Sequence, residues 1–333
     1  MDREASNTDY AEIPYPIENH MYLFREDIQK KFIKDLVEIA QNQDNKPQNF
    51  EEFLKGRFDH TLYDFYFQPY NEKVWRRDLK QVPLSWPEGK LPMPTVEEMN
   101  FNNINHVKEK AFVYATFWYE QKDGSQYIAN KLSEGFNIQY NVDIDSLEYN
   151  YGQWKVQSQS LDKIVFCRNI KDMVNMIHGI DIRKFQRPVA ELEYHGTRAV
   201  FCEIDKNPYS WIYQPSRQHE SHRIICTGNF ATSNNDSSLP DERITATIEF
   251  TYSISKEDII GNLKRIPQHP THLDHQYNPY TYPIQNTDTR STIQEMKSIL
   301  TPYGFHLIGR FADWKYYKMD ITIGVAMGKC FND

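Results

Sequence analysis

Apolar residues return every three to four positions between Phe24 and Gln41, at Ile28, Phe32, Leu36 and Ile39, which predicts an amphipathic helix. A second helix is expected from Asn49, whose side chain can cap it, with Glu52 three residues on as the reciprocal partner and Phe53, Leu54 and Phe58 as its apolar face. Thr61 to Trp75 continues as an aromatic helix expected to stop near Pro69. The proline-rich stretch from Pro83 to Pro94 cannot continue a helix and is expected to be a loop or a domain crossing. Beyond it, Phe112 to Tyr119 has the composition of a strand, and a helix follows through Ile128, Ala129 and Leu132.

From residue 136 the period shortens. Short strand candidates separated by Asp and Gly turns lead to Lys163-Ile164-Val165-Phe166-Cys167, and a helix is expected from about Ile170 to His178. Alternating runs then dominate: Glu191 to Tyr194, Ala199 to Ile204, Trp211 to Tyr213, His222 to Phe230 and Ile244 to Tyr252, an antiparallel sheet whose clearest exposed loop is Asn234 to Ser238. The end of the chain is mixed. A helix is expected from Lys256 to about Arg265, then a His- and Tyr-rich loop, a helix from Thr289 to Leu300, and a closing strand and helix.

A chain of 333 residues is long enough for about two domains, and 39% hydrophobic with 14% aromatic residues excludes disorder. A net charge of -8 without a basic stripe argues against a nucleic-acid binder. Cys167, Cys202, Cys226 and Cys330 are widely spaced in mostly apolar runs and are expected to be buried free thiols of a reducing compartment. No apolar run approaches about 18 residues and no signal peptide is evident, so a cytoplasmic location is expected. His269, His272, Asp274 and His275 offer metal-ligand chemistry in a spacing that fits no zinc pattern, so no metal site is assigned. The G-x-S-x-G, H-E-x-x-H, P-loop and C-x-x-C motifs are all missing from the sequence.

The last forty residues carry the most chemistry. Phe305-His306-Leu307-Ile308 leads into Gly309-Arg310-Phe311-Ala312-Asp313-Trp314-Lys315-Tyr316-Tyr317-Lys318-Met319-Asp320 and an apolar helix: strand, glycine turn, aromatic loop, helix start. Gly309 lets the backbone come close to a ligand, and the Arg310 guanidinium can bridge a diphosphate or a flavin carbonyl, or make a domain-interface ion pair. A helix start offers free N–H groups and favours an anion or an electron-rich ring. This block resembles the C-terminal flavin-contacting motif of UDP-galactopyranose mutase and of the wider amine-oxidase and protoporphyrinogen-oxidase-like flavoproteins. Phe67-Gln68-Pro69-Tyr70-Asn71-Glu72-Lys73-Val74-Trp75 resembles a segment of their helical, substrate-facing domain, and Ile13-Pro14-Tyr15-Pro16 a segment that follows their dinucleotide turn.

The resemblance implies FAD as cofactor, a small-molecule substrate that a nucleotide sugar would satisfy, and oxidoreductase or mutase (isomerase) chemistry. It implies contacts to cofactor or substrate phosphate from Arg310, to substrate or flavin from Tyr316 or Tyr317, and to the flavin pyrimidine edge from Met319, Asp320 and Ile321, although Asp320 can equally be an ordinary N-cap. Lys318 stands where the mutases usually have Asp, which reverses a charge. Trp211, Tyr213 and Arg223 are expected to form one wall of a substrate pocket or an ordinary polar sheet face, and Tyr70 and Asn71 are candidates of the same kind.

The implied architecture is a mixed α/β fold with an incomplete FAD-binding Rossmann-like domain interleaved with a helical domain and an antiparallel substrate sheet. The expected divisions are a polar segment 1–12, a helical domain 13–110, a flavin-domain segment 111–188, the substrate sheet 189–285 and a closing segment 286–333. These families open with G-x-G-x-x-G, and no such spacing occurs in the 333 residues. A missing N-terminal segment or a partner chain is therefore expected to supply the dinucleotide grip. Without it the chain is expected to expose apolar surface and to associate with a partner or with itself, as a fragment, a subunit or a cofactor-free scaffold.

Overall fold

The protein is described by a computed structural model covering residues 12–41, 46–82, 84, 94–107, 117–286 and 288–331. In chain order the helices are α1 (Glu26–Gln41), α2 (Phe50–Leu62), α3 (Gln68–Trp75), α4 (Val96–Asn105), α5 (Gln126–Ser133), α6 (Ile170–Met176), α7 (Gln186–Ala190), α8 (Lys256–Leu263), α9 (Thr289–Leu300) and α10 (Met319–Phe331). The strands are β1 (Leu147–Asn150), β2 (Gln153–Val156), β3 (Gln159–Leu161), β4 (Ile164–Phe166), β5 (Ile177–His178), β6 (Tyr194–Asp205), β7 (Trp211–Tyr213), β8 (Arg223–Ile225), β9 (Arg243–Phe250), β10 (Thr271–Pro283) and β11 (Phe305–Leu307). The chain divides into two compact units, one of residues up to Leu132 with Thr197–Tyr277, the other of Ser133–Gly196 with Asn278–Asp333.

In the first unit, α1 buries Phe32 and Leu36, while α2 and its continuation bury Phe50, Leu54, Phe58, Leu62 and Phe67. Asn49 caps the helix, its Oδ1 accepting from Glu52 N at 2.9 Å, but the reciprocal Glu52 bond goes to Gln48 N at 2.8 Å and to the Asn49 side-chain amide at 2.8 Å rather than to Asn49 N. Pro69 does not stop the aromatic helix. Tyr63–Phe67 forms a π-helical turn, so Pro69 falls in the first turn of α3, where a missing N–H and a fixed φ cost little. The helix ends instead at Arg76, in the left-handed region with φ 53°.

The sheet of this unit has the order β10-β6-β9-β8-β7. Strict alternation along β9 buries Ile244, Ala246, Ile248 and Phe250 against Val200, Cys202, Ile204 and Ile224, with Ile259 and Leu263 of α8 in the same core. Three expectations change here. Residues Glu191 to Glu193 are a turn after α7, because the helix runs through Val189 and Ala190 and the strand starts only at Tyr194. The run from His222 to Phe230 is extended only over β8, and Thr227–Asn229 closes into a 3-10 turn. The His- and Tyr-rich segment is the 13-residue edge strand β10, whose polar and aromatic residues can face water because one side of an edge strand needs no burial. The strand expected at Phe112 to Tyr119 lies mainly outside the described residues, and 117–119 are irregular.

In the second unit β1, β2 and β3 form an antiparallel meander with β5 added parallel to β1, and β4 pairs in parallel with β11. Its core gathers Trp154, Ile170, Met173, Phe185, Val189, Met296, Leu300, Phe305 and Trp314. Cys202 and Cys226 are buried, and burial pushes their thiols up to about 12 and about 11. Cys167 is exposed, against expectation, because it follows the buried Phe166 at the end of β4 and alternation turns it outward. Among the described residues no helix is long and apolar enough to cross a membrane.

Candidate functional site

The closing turn of the second unit is built around Gly309, whose φ of 106° is closed to residues with a side chain. A Cβ there would meet only Cys167 O at 3.7 Å, so the dihedral, not crowding, requires glycine. Arg310 then folds back over the loop it begins. Its Nε and Nη2 donate to Tyr317 O at 2.9 and 2.6 Å, its Nη1 donates to Thr281 O at 2.9 Å, and its guanidinium lies 4.6 Å from the centre of the Tyr316 ring. Arg310 thus ties Gly309, the Tyr316-Tyr317 pair and β10 together, with three of its N–H groups on backbone carbonyls.

The two adjacent tyrosines divide. Tyr316 is half-buried and stacks on Tyr282 with centroids 5.6 Å apart at 5°. Tyr317 is buried, and its hydroxyl donates to Asp313. Burial and the Asp313 carboxylate hold that hydroxyl well above its ordinary value, so it stays protonated. Asp313 also takes Lys297 Nζ, while Arg290 Nη2 reaches Asp313 O at 2.8 Å and Trp314 O at 2.5 Å. The Trp314 indole is fully buried and donates to Ile284 O at 3.0 Å. This packed loop delivers the chain to α10, whose Met319 and Ile321 are 55% and 48% exposed. Thr322 N donates to Lys318 O at 2.9 Å, the first turn of the helix. The N–H groups of Met319, Asp320 and Ile321 precede that first bond and point along the axis, the arrangement that favours an anion or electron-rich ring. Lys318 sits at that end with a charge opposite to the one a helix start prefers.

The first unit places several other candidates on one face of its sheet. Tyr213, Arg223 and Glu249 are successive cross-strand partners on β7, β8 and β9, so they form a single row opposite the buried Ile224 and Ile248. Arg223 Nε donates to Glu249, and the His222 Nδ1 nitrogen lies 3.0 Å from Glu249 O. Tyr70 of α3 meets Tyr213 edge-on at 5.5 Å and stacks on Tyr66 at 5.7 Å, and Tyr15 packs on Tyr213 at 5.3 Å. Trp211, two residues from Tyr213, packs on Phe117 and Phe230 at 5.1 and 5.4 Å. Asn71 is apart from this group: its Nδ2 donates to Phe67 O at 2.7 Å within the helix and is buried. Among the metal-ligand candidates, His272 Nε2 and His275 Nδ1 are 2.9 Å apart and His269 binds Asp205.

Sequence reasoning did not single out Lys73, Gln214 or His219 as a group. Lys73 is 8% exposed, and its ammonium donates to Gln214 O at 2.8 Å, Ser221 O at 2.9 Å and Ser216 O. Ser221 Oγ donates to Gln214 Oε1 at 2.7 Å and lies 2.8 Å from His219 Nδ1. The run Gln68-Pro69-Tyr70-Asn71-Glu72-Lys73-Val74-Trp75 carries no local signal that this lysine is buried. Burial, then Lys73 and Arg265, lower the His219 imidazole to about 3. Because its folded value lies below the ordinary value near 6.5, the unfolded chain binds the extra proton between those values. The contribution of neutral His219 is therefore complete above about pH 6.5 and falls as pH drops toward 3. Wild-type stability should decline from pH 6.5 to 4.5 more steeply than that of His219→Gln, measured by urea unfolding at stepped pH.

No family model matches the chain. Its fold does match solved structures. A reduced UDP-galactopyranose mutase superposes with a TM-score of 0.79 at 17% identity, over 91% of this chain and 71% of the mutase chain. A proposed protoporphyrinogen oxidase from Exiguobacterium gives 0.58 at 11% identity, over 88% and 70%. A CLA-producing fatty acid isomerase from P. acnes gives 0.58 at 11%, over 98% and 78%. At these identities the likeness establishes the fold: a mixed α/β arrangement with an antiparallel sheet, shared with the enzymes that the closing motif resembles.

Proposed function

We propose that the chain is part of an FAD-dependent oxidoreductase or UDP-galactopyranose-mutase-like enzyme acting on a small polar substrate, located in the cytoplasm. The observation that carries this reading is the Gly309-Arg310 turn, packed onto its own loop and leading to the exposed helix start at Met319, Asp320 and Ile321, in a chain that shares the mutase fold. Those residues fit one edge of a flavin. The helix start would hold the pyrimidine edge, and Arg310 would fix the turn while its remaining N–H groups face a carbonyl or phosphate. FAD, when bound, supplies hydride or N5 chemistry, and the chain supplies position and electrostatics. Within the first unit Tyr70, Tyr213, Trp211 and Arg223 are candidate substrate contacts, and within the second Tyr316 is one, with Tyr317 holding its loop and Asn71 holding its helix. An activated sugar suits the arginines.

A second reading also has support from the structure. Helix α5 buries none of its residues and exposes Tyr127, Ile128 and Leu132, and Phe136, Ile138, Tyr140 and Val142 that follow are exposed as well. The two-stranded parallel pair β4-β11 leaves Val165 55% exposed, although parallel sheets are normally covered on both faces. Surfaces of this kind are covered in a working protein by further chain or by a partner. On this reading the chain is a binding subunit or scaffold whose partner carries the dinucleotide grip, or it pairs with a second copy.

The visible absorption spectrum after FAD addition and gel filtration separates the two. Retained flavin bands, weakened at least tenfold in occupancy by Arg310→Ala, are expected from the first. A colourless protein at every FAD concentration overturns it and leaves the partner-dependent reading.

A further inference from the structure

The strand pattern that begins at residue 136 finds no partner within its own unit. Phe136-Asn137-Ile138-Gln139-Tyr140 alternates apolar and polar residues, so an extended chain there puts Phe136, Ile138 and Tyr140 on one face and Asn137 and Gln139 on the other. Yet these residues belong to no helix or sheet, and Phe136, Ile138 and Tyr140 are 74%, 43% and 75% exposed. Among the described residues no hydrogen bond reaches the backbone of residues 137–142.

Two left-handed residues bound the run. Gly135 has φ 84° and Asn141 has φ 57°, and neither conformation continues a pleated strand. Pairing is therefore confined to the residues between them, an ordinary strand length. Free edges in natural sheets carry lysine, proline or inward-pointing charge that discourages pairing with another chain. From Gly135 to Val142 there is no charged residue and no proline. Nothing in the run opposes strand addition.

The run is also complementary to itself. In an antiparallel pair centred on Ile138, Phe136 stands opposite Tyr140 of the second copy, Asn137 opposite Gln139, and Ile138 opposite Ile138. Gly135 then falls opposite Asn141, so the bounds of the two copies coincide at both ends. A register shifted by one residue would set Phe136, Ile138 and Tyr140 against the polar face. No like charges meet, and each aromatic pair flanks the central isoleucines.

We infer that Phe136–Tyr140 is a self-pairing edge, through which two copies of the chain join as an antiparallel two-stranded ribbon with its twofold axis at Ile138. A two-stranded ribbon is marginal on its own, so the association is weak and reversible. The pairing rests on the second-copy reading of the chain, to which it gives a contact surface, and it makes no use of the flavin.

Sedimentation velocity of the full chain, over a series from micromolar to submillimolar concentration, should show a dimer growing in at the upper end. Ile138→Lys and Ile138→Glu each set like charges directly opposite one another and should weaken the dimer about tenfold or more. Both should leave the melting temperature unchanged, since Ile138 lies outside the core of its unit. Mixed in equal amounts, the two variants should pair again, because the opposed charges now attract. A wild-type chain that stays monomeric throughout overturns the self-pairing edge and the second-copy reading together, and leaves the run to a different partner. A dimer that Ile138→Lys leaves intact, or mixed variants that do not pair, overturns the edge alone, the copies then meeting in another register or at another surface.

Discussion

Lys73→Met is expected to lower stability by about 2–4 kcal/mol, because hydrogen bonds from a charged donor contribute about 1.5–3 kcal/mol and their loss leaves buried acceptors unmatched. The ammonium is buried and holds the carbonyls of Gln214, Ser216 and Ser221, so its loss orphans three acceptors at once. An unmatched buried acceptor costs about 1–3 kcal/mol, and relaxation keeps the total below the sum. Methionine retains most of the volume, which separates the polar loss from a cavity. Lys73 belongs to α3 and the three carbonyls to the segment between β7 and β8, so the variant should also loosen that segment. Urea unfolding would show a lower midpoint at unchanged slope, and hydrogen exchange should quicken between residues 214 and 222. A shift below about 1 kcal/mol would show that water replaces the ammonium without penalty.

The same lysine shows where sequence reading reaches its limit. Helical periods in α1, α2 and α9 and the alternation of β9 were legible because each element buries a regular stripe of its own residues. The β10 strand was not legible, because an edge strand with mostly exposed residues shows no apolar period and carries an internal Asn278-Pro279 that reads as a turn. Pro69 was misread because nothing local announces a π-helical turn just ahead of it. The closing motif was legible as residue types but not as geometry. Arg310 reads as a ligand-binding guanidinium, yet in the fold it first binds Tyr317 O and Thr281 O, partners that only tertiary structure brings near. The Tyr70-Tyr213 contact joins residues far apart in the chain, and Tyr15 and Gln268 complete a cavity no local pattern encodes.

Asp313→Ala is expected to destabilise the chain by about 2–4 kcal/mol and to release the closing turn. Removing one partner from a buried ion pair usually costs about 3–5 kcal/mol. The lower figure applies because Lys297 and Arg290 are 25% and 42% exposed and water can recover part of their charge. Three groups lose the same carboxylate: the Lys297 ammonium, the more distant Arg290 guanidinium at 4.0 Å, and the Tyr317 hydroxyl. Asp313→Asn keeps one accepting oxygen for the Lys297 ammonium, and its NH2 can donate to the Tyr317 hydroxyl oxygen in place of the present bond, so it should cost about half as much. The ring of Tyr317 packs in the core beside the loop that positions α10, and its carbonyl is the one Arg310 binds. A freed Tyr317 therefore loosens the Arg310 clamp as well. Urea unfolding measures the loss, and hydrogen exchange from Gly309 to Thr322 should rise far more than in the β1-β2-β3 meander. Flavin retention, where it occurs, should fall with that exchange, since a mobile helix start cannot present its N–H groups as a fixed array. Asp313→Ala with native stability and a protected turn would mean that the packing of Trp314 alone holds the loop.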